Sequence, residues 1–213
     1  MKSNDESNGG SVNIVIVGGT GTIGRAVVME LKKRHTVIVA GHKTGDIQMD
    51  MTNAASIESM YQSLCASNHT IDAVIVTTGK VKFAELSAFT AEDYLLGLQH
   101  KLMGQVNIVL IGQRYLNECG SFTLTSGILN RDPIRMGTSA AMVNGALEGF
   151  VKNAAIELTR GMRINIVSPT VVMESIPQYE AYFRGFKSVS ASDVALAYSK
   201  SVEGLQTGQV YCV

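Results

Sequence analysis

The feature that most constrains this chain is a glycine-rich turn between a strand pattern and a helix pattern. Residues 12–17 are mostly Val and Ile, which is typical of a short strand buried on both faces. Residues 22–34 then place apolar side chains at the three-, four- and eight-residue spacing of a helix stripe. The turn between them carries both GxGxxG and GxxGxxG spacing. Its residues are Gly18, Gly19, Thr20, Gly21, Thr22, Ile23 and Gly24.

A turn of this kind suits the diphosphate of a dinucleotide. Glycines allow a sharp bend and leave backbone N–H groups bare, while the helix N-terminus supplies a partial positive charge to the phosphates. The motif alone is a weak signal, and a tight turn without a ligand is the alternative. Its place at the first strand–helix junction favours nucleotide binding.

The rest of the chain continues the alternation of strands and helices. Further strands are predicted at 36–40, 47–49, 73–76, 121–125, 163–167 and 209–213, and further helices at 54–66, 91–116, 139–159 and 191–202. Strands without polar alternation indicate a parallel α/β sheet of about seven strands with helices on both faces, in a single domain. The link from the second to the third strand is too short for the usual helical crossover, so either that helix is missing or the third strand is misplaced.

Composition excludes several classes of partner and site. The 213 residues carry 18 Lys+Arg and 18 Asp+Glu, so neither nucleic acid nor an anionic membrane is expected as a partner. Three scattered cysteines predict no disulfide framework, and four histidines without paired spacing predict no metal site. Residues 1–11 are polar and are expected to form a disordered leader before a domain at 12–213. We therefore expect a cytoplasmic protein.

The end of the second strand bears on which dinucleotide is bound. An NAD site usually has a carboxylate there, which binds the ribose hydroxyls. This chain instead has Gly41, His42 and Lys43 there, which would not repel a 2′-phosphate, and the phosphate could pair with His42, Lys43 or Arg25. NADP is therefore preferred over NAD, although His42 and Lys43 could each be solvated loop residues.

These motifs, together with several later ones, resemble the short-chain dehydrogenase/reductase family from Val12 to Val213. The supporting stretches are the glycine turn, 50–52, 76–79, 125–127, 145–150, 155–158, 163–169 and 207–210. The resemblance implies a Rossmann-type doubly wound parallel sheet that binds NAD(P). It also implies oxidoreductase activity on a small carbonyl or alcohol substrate.

By that resemblance, cofactor contacts can be assigned beyond the glycine turn. Asp50 would bind the adenine amino group, and Met51 would line the adenine pocket. The stretch Thr77, Thr78 and Gly79 would lie behind a ribose of the cofactor. Pro169 and Thr170 would flank the nicotinamide.

The catalytic positions depart from the family pattern. Ser126 occupies the usual serine position, but Ala140 stands where the family has its proton-donating Tyr, and Asn144 where it has Lys. Lys101 in turn occupies the position of a family Asn. Lys and Asn would thus have exchanged places in one cleft, and Lys101 could transfer protons together with Ser126 or a water. The alternative for Lys101 is a side chain that extends to the helix surface.

Substrate contacts and the activity itself leave alternatives open. Arg131 and Arg135 could hold a carboxylate or phosphate, or could pair with nearby acids such as Asp132. Residues 173–187 correspond to the family's variable substrate loop and suggest a mobile lid, one of whose tyrosines could replace the missing phenol. An NADP-dependent oxidoreductase with an unusual catalytic set is the leading hypothesis. A catalytically silent NADP-binding sensor or scaffold comes second, and an epimerase-like activity third.

The 139–159 helix bears on assembly. It is apolar on more than one face. One side can pack on the sheet while another packs on a second subunit, which suggests a homodimer or homotetramer.

Overall fold

Seven parallel strands form one sheet in the computed structural model, which describes residues 10–213. The strands are β1 (Asn13–Val17), β2 (Thr36–Gly41), β3 (Ile47–Gln48), β4 (Ala73–Val76), β5 (Ser121–Thr125), β6 (Arg163–Ser168) and β7 (Val210–Cys212). Their order across the sheet is β3-β2-β1-β4-β5-β6-β7. The chain winds one way from β1 to β3 and the other way from β4 to β7, which confirms the predicted doubly wound fold. Most of the predicted leader, residues 1–9, lies outside the described residues.

The helices cover the sheet as predicted, with one exception. They are α1 (Thr22–Leu31), α2 (Ala54–Ala66), α3 (Ala91–Gly97), α4 (Gly104–Gly112), α5 (Thr138–Glu157), α6 (Ile176–Tyr179) and α7 (Ala191–Glu203). The long helix predicted over 91–116 runs without a break from Ala91 to Gly112, but it is not α-helical throughout. A π-helical segment, Leu98–Met103, separates α3 from α4, and glycines stand at both of its ends.

Alternation along the strands divides the core into two layers. Ile14 and Ile16 of β1 face one side of the sheet and pack in a cluster with α1 and α7. Val15 and Val17 face the other side and pack with α2, α4 and α5. Because nearly every residue of the inner strands is buried, the apolar runs in the sequence correspond to strands covered on both faces.

The short link between β2 and β3 contains no helix. Two hydrogen bonds between Asp46 and Val39 hold the link instead. The Asp46 carboxylate accepts from the Val39 amide at 2.8 Å, and the Asp46 amide donates to the Val39 carbonyl at 2.8 Å. These bonds fold residues 42–46 back against β2 and bring in β3 as a two-residue edge strand. Of the two alternatives, the first is therefore correct: the usual crossover helix is absent. The third strand lies where the sequence predicts it.

The reversal of winding lies between β1 and β4, which are neighbours in the sheet. Ligands of doubly wound sheets bind where the carboxyl ends of two such strands diverge. The glycine turn follows β1 and the Thr77–Gly79 stretch follows β4, so both lie at this point. Within residues 10–213, no helix is both long and apolar enough to cross a bilayer, and no group of three or more His, Cys, Asp or Glu side chains could hold a metal ion.

Candidate cofactor and active site

The glycine turn folds tightly onto the start of α1. A Cβ at Gly24 would lie 2.1 Å from the Gly18 carbonyl oxygen, so only glycine allows the helix to approach the turn this closely. Gly21 precedes the helix and no side chain caps it. The first amides of α1 therefore remain open to an anion, which fits the diphosphate of a dinucleotide.

A cleft of about 550 Å³ opens beside this turn. Many of the sequence-predicted cofactor residues line it: Gly18, Thr20, Gly21, His42, Lys43, Asp50, Met51, Thr77 and Thr78. The other residues of the turn do not line the cleft. Gly19 packs against Val39 and Val28, and Ile23 packs in the core layer with α7. Lys80 and His100 also line the cleft, and the sequence did not single them out.

The charges in the cleft are mostly basic. His42, Lys43, Lys80 and His100 face Asp50, which is its acidic residue. The Thr52 hydroxyl and amide donate hydrogen bonds to Asp50 Oδ1 at 2.7 and 2.9 Å, and these bonds lower the pKa of the carboxyl group. No carboxylate follows β2 among the lining residues, so the cleft would not repel a phosphate near His42 and Lys43.

Lys101 and Asn144 meet at the carboxyl end of β5. Lys101 Nζ donates to Asn144 Oδ1 at 2.7 Å and to the backbone oxygen of Ser126 at 2.8 Å. Asn144 Nδ2 in turn donates to the Gly127 carbonyl at 3.2 Å. Burial of the ammonium group lowers the pKa of Lys101 to about 8. The side chain therefore turns inward and does not extend to the helix surface.

The hydroxyl of Ser126 faces away from Lys101. It donates to Glu148 Oε1 at 2.9 Å, and Lys101 reaches only the backbone oxygen of this serine. Glu148 also accepts hydrogen bonds from Ser168 Oγ at 3.0 Å and Asn130 Nδ2 at 2.8 Å. The structure thus provides no direct bond between Lys101 and the serine hydroxyl, which joins a buried polar cluster instead.

The sequence reasoning overlooked Glu148, although a signal for it existed. Ala140, Asn144 and Glu148 follow one another at four-residue spacing, so they share one face of α5. The family resemblance assigns the first two to catalytic positions, and the third carries a carboxylate. Its side chain is 8% exposed, which for Glu calls for several donors around it.

The two candidate substrate arginines differ in their surroundings. Arg131 donates to Ser168 Oγ at 2.6 Å and to Glu148 Oε1 at 3.1 Å, which leaves its Nε without a partner among the described residues. Arg135 is largely exposed and pairs with Glu85 at 2.6 Å. The acids that pair with these arginines are thus Glu148 and Glu85. Asp132, which the sequence suggested, has no ion pair with either.

The candidate lid, residues 173–187, packs through aromatic side chains. Residues 173–175 form a short 3₁₀ turn that leads into α6. Tyr179 of α6 stacks at an angle on Phe83, with ring centroids 6.1 Å apart, and Phe183 meets Tyr179 edge-on at 6.5 Å. The segment thereby contacts the loop after β4. Its mobility, and the replacement of the missing phenol by one of its tyrosines, stay predictions.

Pro169 and Thr170 follow β6 at the same edge of the sheet. The Pro169 carbonyl accepts from the Ile128 amide at 3.0 Å, and the Thr170 amide donates to Val213 at 2.7 Å. The Thr170 hydroxyl is buried and has no hydrogen-bond partner among residues 10–213. The open amides of α1 and the basic cleft beside them fit the phosphates of a nicotinamide dinucleotide.

Comparisons with known proteins agree with this geometry. A family model described as enoyl-(acyl carrier protein) reductase matches residues 8–210. The crystal structure of the protein lin1944 from Listeria innocua is 46% identical, with a TM-score of 0.92 over 95% of this chain and 100% of that chain. A small-chain dehydrogenase solved in complex with NADPH is 27% identical, with a TM-score of 0.82 over 95% of this chain and 96% of that chain.

A sequence relative adds a named protein. The short-chain dehydrogenase/reductase ucsE from Acremonium sp. is 25% identical over 190 residues, which are 75% of this chain and 72% of that protein.

Proposed function

This chain belongs to the short-chain dehydrogenase/reductase family of oxidoreductases, and from that premise we propose that it is an NADP-dependent enzyme that interconverts a carbonyl and an alcohol. The nicotinamide cofactor, when bound, supplies or accepts the hydride. The protein must hold that cofactor, position the substrate and move one proton to or from its oxygen. Residues 12–213 would form the single domain that performs these tasks.

Proton transfer falls to Lys101 in this proposal, and its contact with Asn144 is the observation that carries it. The 2.7 Å hydrogen bond supports this assignment, because it holds the ammonium group beside Asn144, on the face of α5 that also carries Ala140, which has no proton to give. A pKa of about 8 suits a group that donates a proton near neutral pH and recovers it from water. Asn144 would orient Lys101 and bind the nicotinamide ribose.

In the same proposal, Ser126 positions the substrate. Its hydroxyl proton is bonded to Glu148, so it would offer lone pairs, and not a proton, to a substrate hydroxyl. Arg131 and Arg135 would recognise a carboxylate or phosphate on the substrate. Of the two, Arg131 is better prepared, because Glu148 and Ser168 already hold its guanidinium in place.

The preference for NADP rests on the basic end of the cleft. His42 and Lys43 stand after β2, where a carboxylate would otherwise favour NAD. The NADPH complex of the 27% identical relative supports the same choice. A cytoplasmic location and a homodimer or homotetramer, both expected from the sequence, complete the proposal.

The test begins with the purified full chain and NADPH fluorescence. We expect NADPH to bind more tightly than NADH, and Lys43→Glu to reduce this preference about tenfold or more, because a carboxylate would then face the 2′-phosphate. Lys32→Glu, which changes an exposed lysine at the end of α1, is the matched control and should keep the preference. If neither cofactor bound at high concentration, the proposal would fail.

A substrate panel then separates the enzyme from the second candidate. Aldehydes and ketones with and without an acidic group are offered, and NADPH oxidation is followed by absorbance. Turnover lost in Lys101→Met supports the enzyme. A catalytically silent NADP-binding protein is the second candidate because Ala140 is buried and brings no acid. Tight NADPH binding without turnover across the panel would favour it.

A further inference from the structure

His100 lines the cofactor cleft, although neither the glycine motif nor the catalytic pattern includes it. It belongs to the π-helical segment Leu98–Met103 and directly precedes Lys101. Its ring lies in the same cleft as Asp50 and Met51, where the adenosine half of the cofactor is proposed to bind. His100 and Lys101 are consecutive residues, but His100 lies in the cofactor cleft and Lys101 lies beside Asn144.

The protein fixes the tautomer of this histidine. The backbone amide of Lys80 donates to His100 Nδ1 at 3.2 Å, so Nδ1 must be the acceptor nitrogen of a neutral ring. The single ring proton is then on Nε2. Burial, followed by the charge of Lys80, lowers the pKa of His100 and favours this neutral form. Within the described residues, Nε2 has no hydrogen-bond partner, so the cleft contains a free N–H donor.

Asp50 provides the complementary acceptor. Its Oδ1 is occupied by Thr52, whereas Oδ2 accepts no hydrogen bond from the described residues. Asp50 and His100 line the same cleft, so one ligand can contact both groups. The basic groups His42, Lys43 and Lys80 complete the charged lining of the cleft.

We propose that His100 adds to the adenine contact that the family resemblance assigns to Asp50: His100 Nε2–H donates to a ring nitrogen of the base, while Asp50 accepts from the exocyclic amino group. Adenine presents a ring-nitrogen acceptor next to an amino donor, which this pair complements. Hypoxanthine has an oxygen in place of the amino group, and that oxygen would face the carboxylate. This inference rests on the proposed function, because it assumes that a dinucleotide occupies the cleft.

The first experiment measures binding of 2′,5′-ADP, the adenosine fragment of NADP, by isothermal titration calorimetry. We expect His100→Leu to weaken binding roughly threefold to tenfold, the effect of one lost hydrogen bond. His100→Gln keeps an N–H donor and should lose less. His69→Leu, at an exposed site before β4 and away from the carboxyl edge of the sheet, should leave the affinity unchanged.

A second measurement observes His100 directly in the wild-type protein. The ring resonances of His100 in the full-length wild-type protein, assigned with His100→Gln, should shift when 2′,5′-ADP binds. The fragment with hypoxanthine in place of adenine should bind about tenfold more weakly, and Asp50→Asn should reduce that difference.

The outcomes separate this inference from the proposed function. Binding by His100→Leu within twofold of wild type, or unmoved His100 resonances in the complex, would overturn the role of His100 and leave NADP binding intact. If the wild-type chain bound neither 2′,5′-ADP nor NADPH, both proposals would fall together.

Discussion

Lys101 and Asn144 form a direct hydrogen bond where the family resemblance predicts that two side chains have exchanged places. The family pattern provides a phenol and a lysine on α5, and this chain provides Ala140 and Asn144 there. The cation now arrives from the π-helical segment and donates hydrogen bonds to Asn144 and the Ser126 carbonyl. An ammonium group has three donors, so one N–H remains for a substrate oxygen or a water.

The first prediction concerns the pH dependence of Lys101. Carbonyl reduction consumes a proton, so the rate should fall as pH rises through about 8 and Lys101 loses its proton, while alcohol oxidation should rise over the same range. Lys101→Met should lower turnover about a hundredfold or more and remove this inflection, with NADPH affinity little changed. Steady-state rates between pH 6 and 10 give the measurement. A variant that kept the wild-type profile would exclude Lys101 as the proton donor.

The second prediction concerns Glu148, the acceptor that Ser126, Ser168, Asn130 and Arg131 share. Glu148→Gln replaces the charged acceptor with an amide that cannot accept at both ends, so the free energy of unfolding should fall by about 2 kcal/mol. Urea unfolding followed by circular dichroism gives this value. The control Glu157→Gln, at an exposed site on the same helix, should stay within about 0.5 kcal/mol of wild type. Equal midpoints for wild type and Glu148→Gln would show that the buried cluster contributes little.

The sequence predicts the side-chain directions of some site residues but not of others. It predicted that Lys101 and Asn144 point into one cleft, because a helix period and a family spacing define their directions, and the structure brings them into contact. It did not predict that the hydroxyl of Ser126 turns to Glu148, since that choice depends on which acceptor is nearest after folding. The sequence pattern does not single out His100, because the direction of its side chain follows from a π-helix and not from an α-helical period.

At the level of elements, the π-helical segment determines where two functional side chains point. A π-helix adds a residue to a turn, which rotates the following side chains relative to a regular α-helix, and such segments are frequent at functional sites. Leu98–Met103 adopts this form between α3 and α4. The sequence predicts that this region is helical, but it identifies Gly97 and Gly104 only as residues that weaken the helix. The tertiary contacts that favour the wider turn are not readable from a local pattern.

The third prediction tests the contact between this segment and the loop after β4. A Cβ at Gly79 would lie 2.5 Å from Lys101 Cγ and 2.9 Å from Lys101 Cβ, so Gly79→Ala should displace Lys101. We expect a loss of about 1–3 kcal/mol in unfolding free energy together with reduced turnover. Thermal and urea unfolding, and the carbonyl assay, measure the two effects.

The matched control for Gly79→Ala lies on α5. Gly149 has open space where a Cβ would go, so Gly149→Ala should stabilise the helix by roughly 1 kcal/mol. A Gly79→Ala variant as stable and active as wild type would mean that the segment can shift without consequence.

At the scale of the whole molecule, the alternation of strand and helix patterns predicts a parallel sheet covered on both faces, and the family resemblance adds the doubly wound topology. β1 and β4 are runs of mostly Val and Ile, and the number and sequence of the strands leave few ways to connect a parallel sheet. That topology brings together, at one edge of the sheet, the turns that follow β1, β4, β5 and β6. The fold does not determine what packs against the outer faces of its helices, because the strand pattern says nothing about them.

The last prediction concerns assembly through the outer face of α4 and α5. A groove of about 500 Å³ lies between these helices, lined by apolar side chains that include Val109, Leu110 and Phe150. Leu110 is 48% exposed, and burial of such surface against a second copy would stabilise a dimer. Light scattering of the wild-type protein should give the mass of a dimer or tetramer, and Ala146→Arg, within the groove, should reduce it. Met29→Arg, at an exposed site on α1, should not. A monomeric wild type, or an Ala146→Arg variant of unchanged mass, would place the subunit contact elsewhere or remove it.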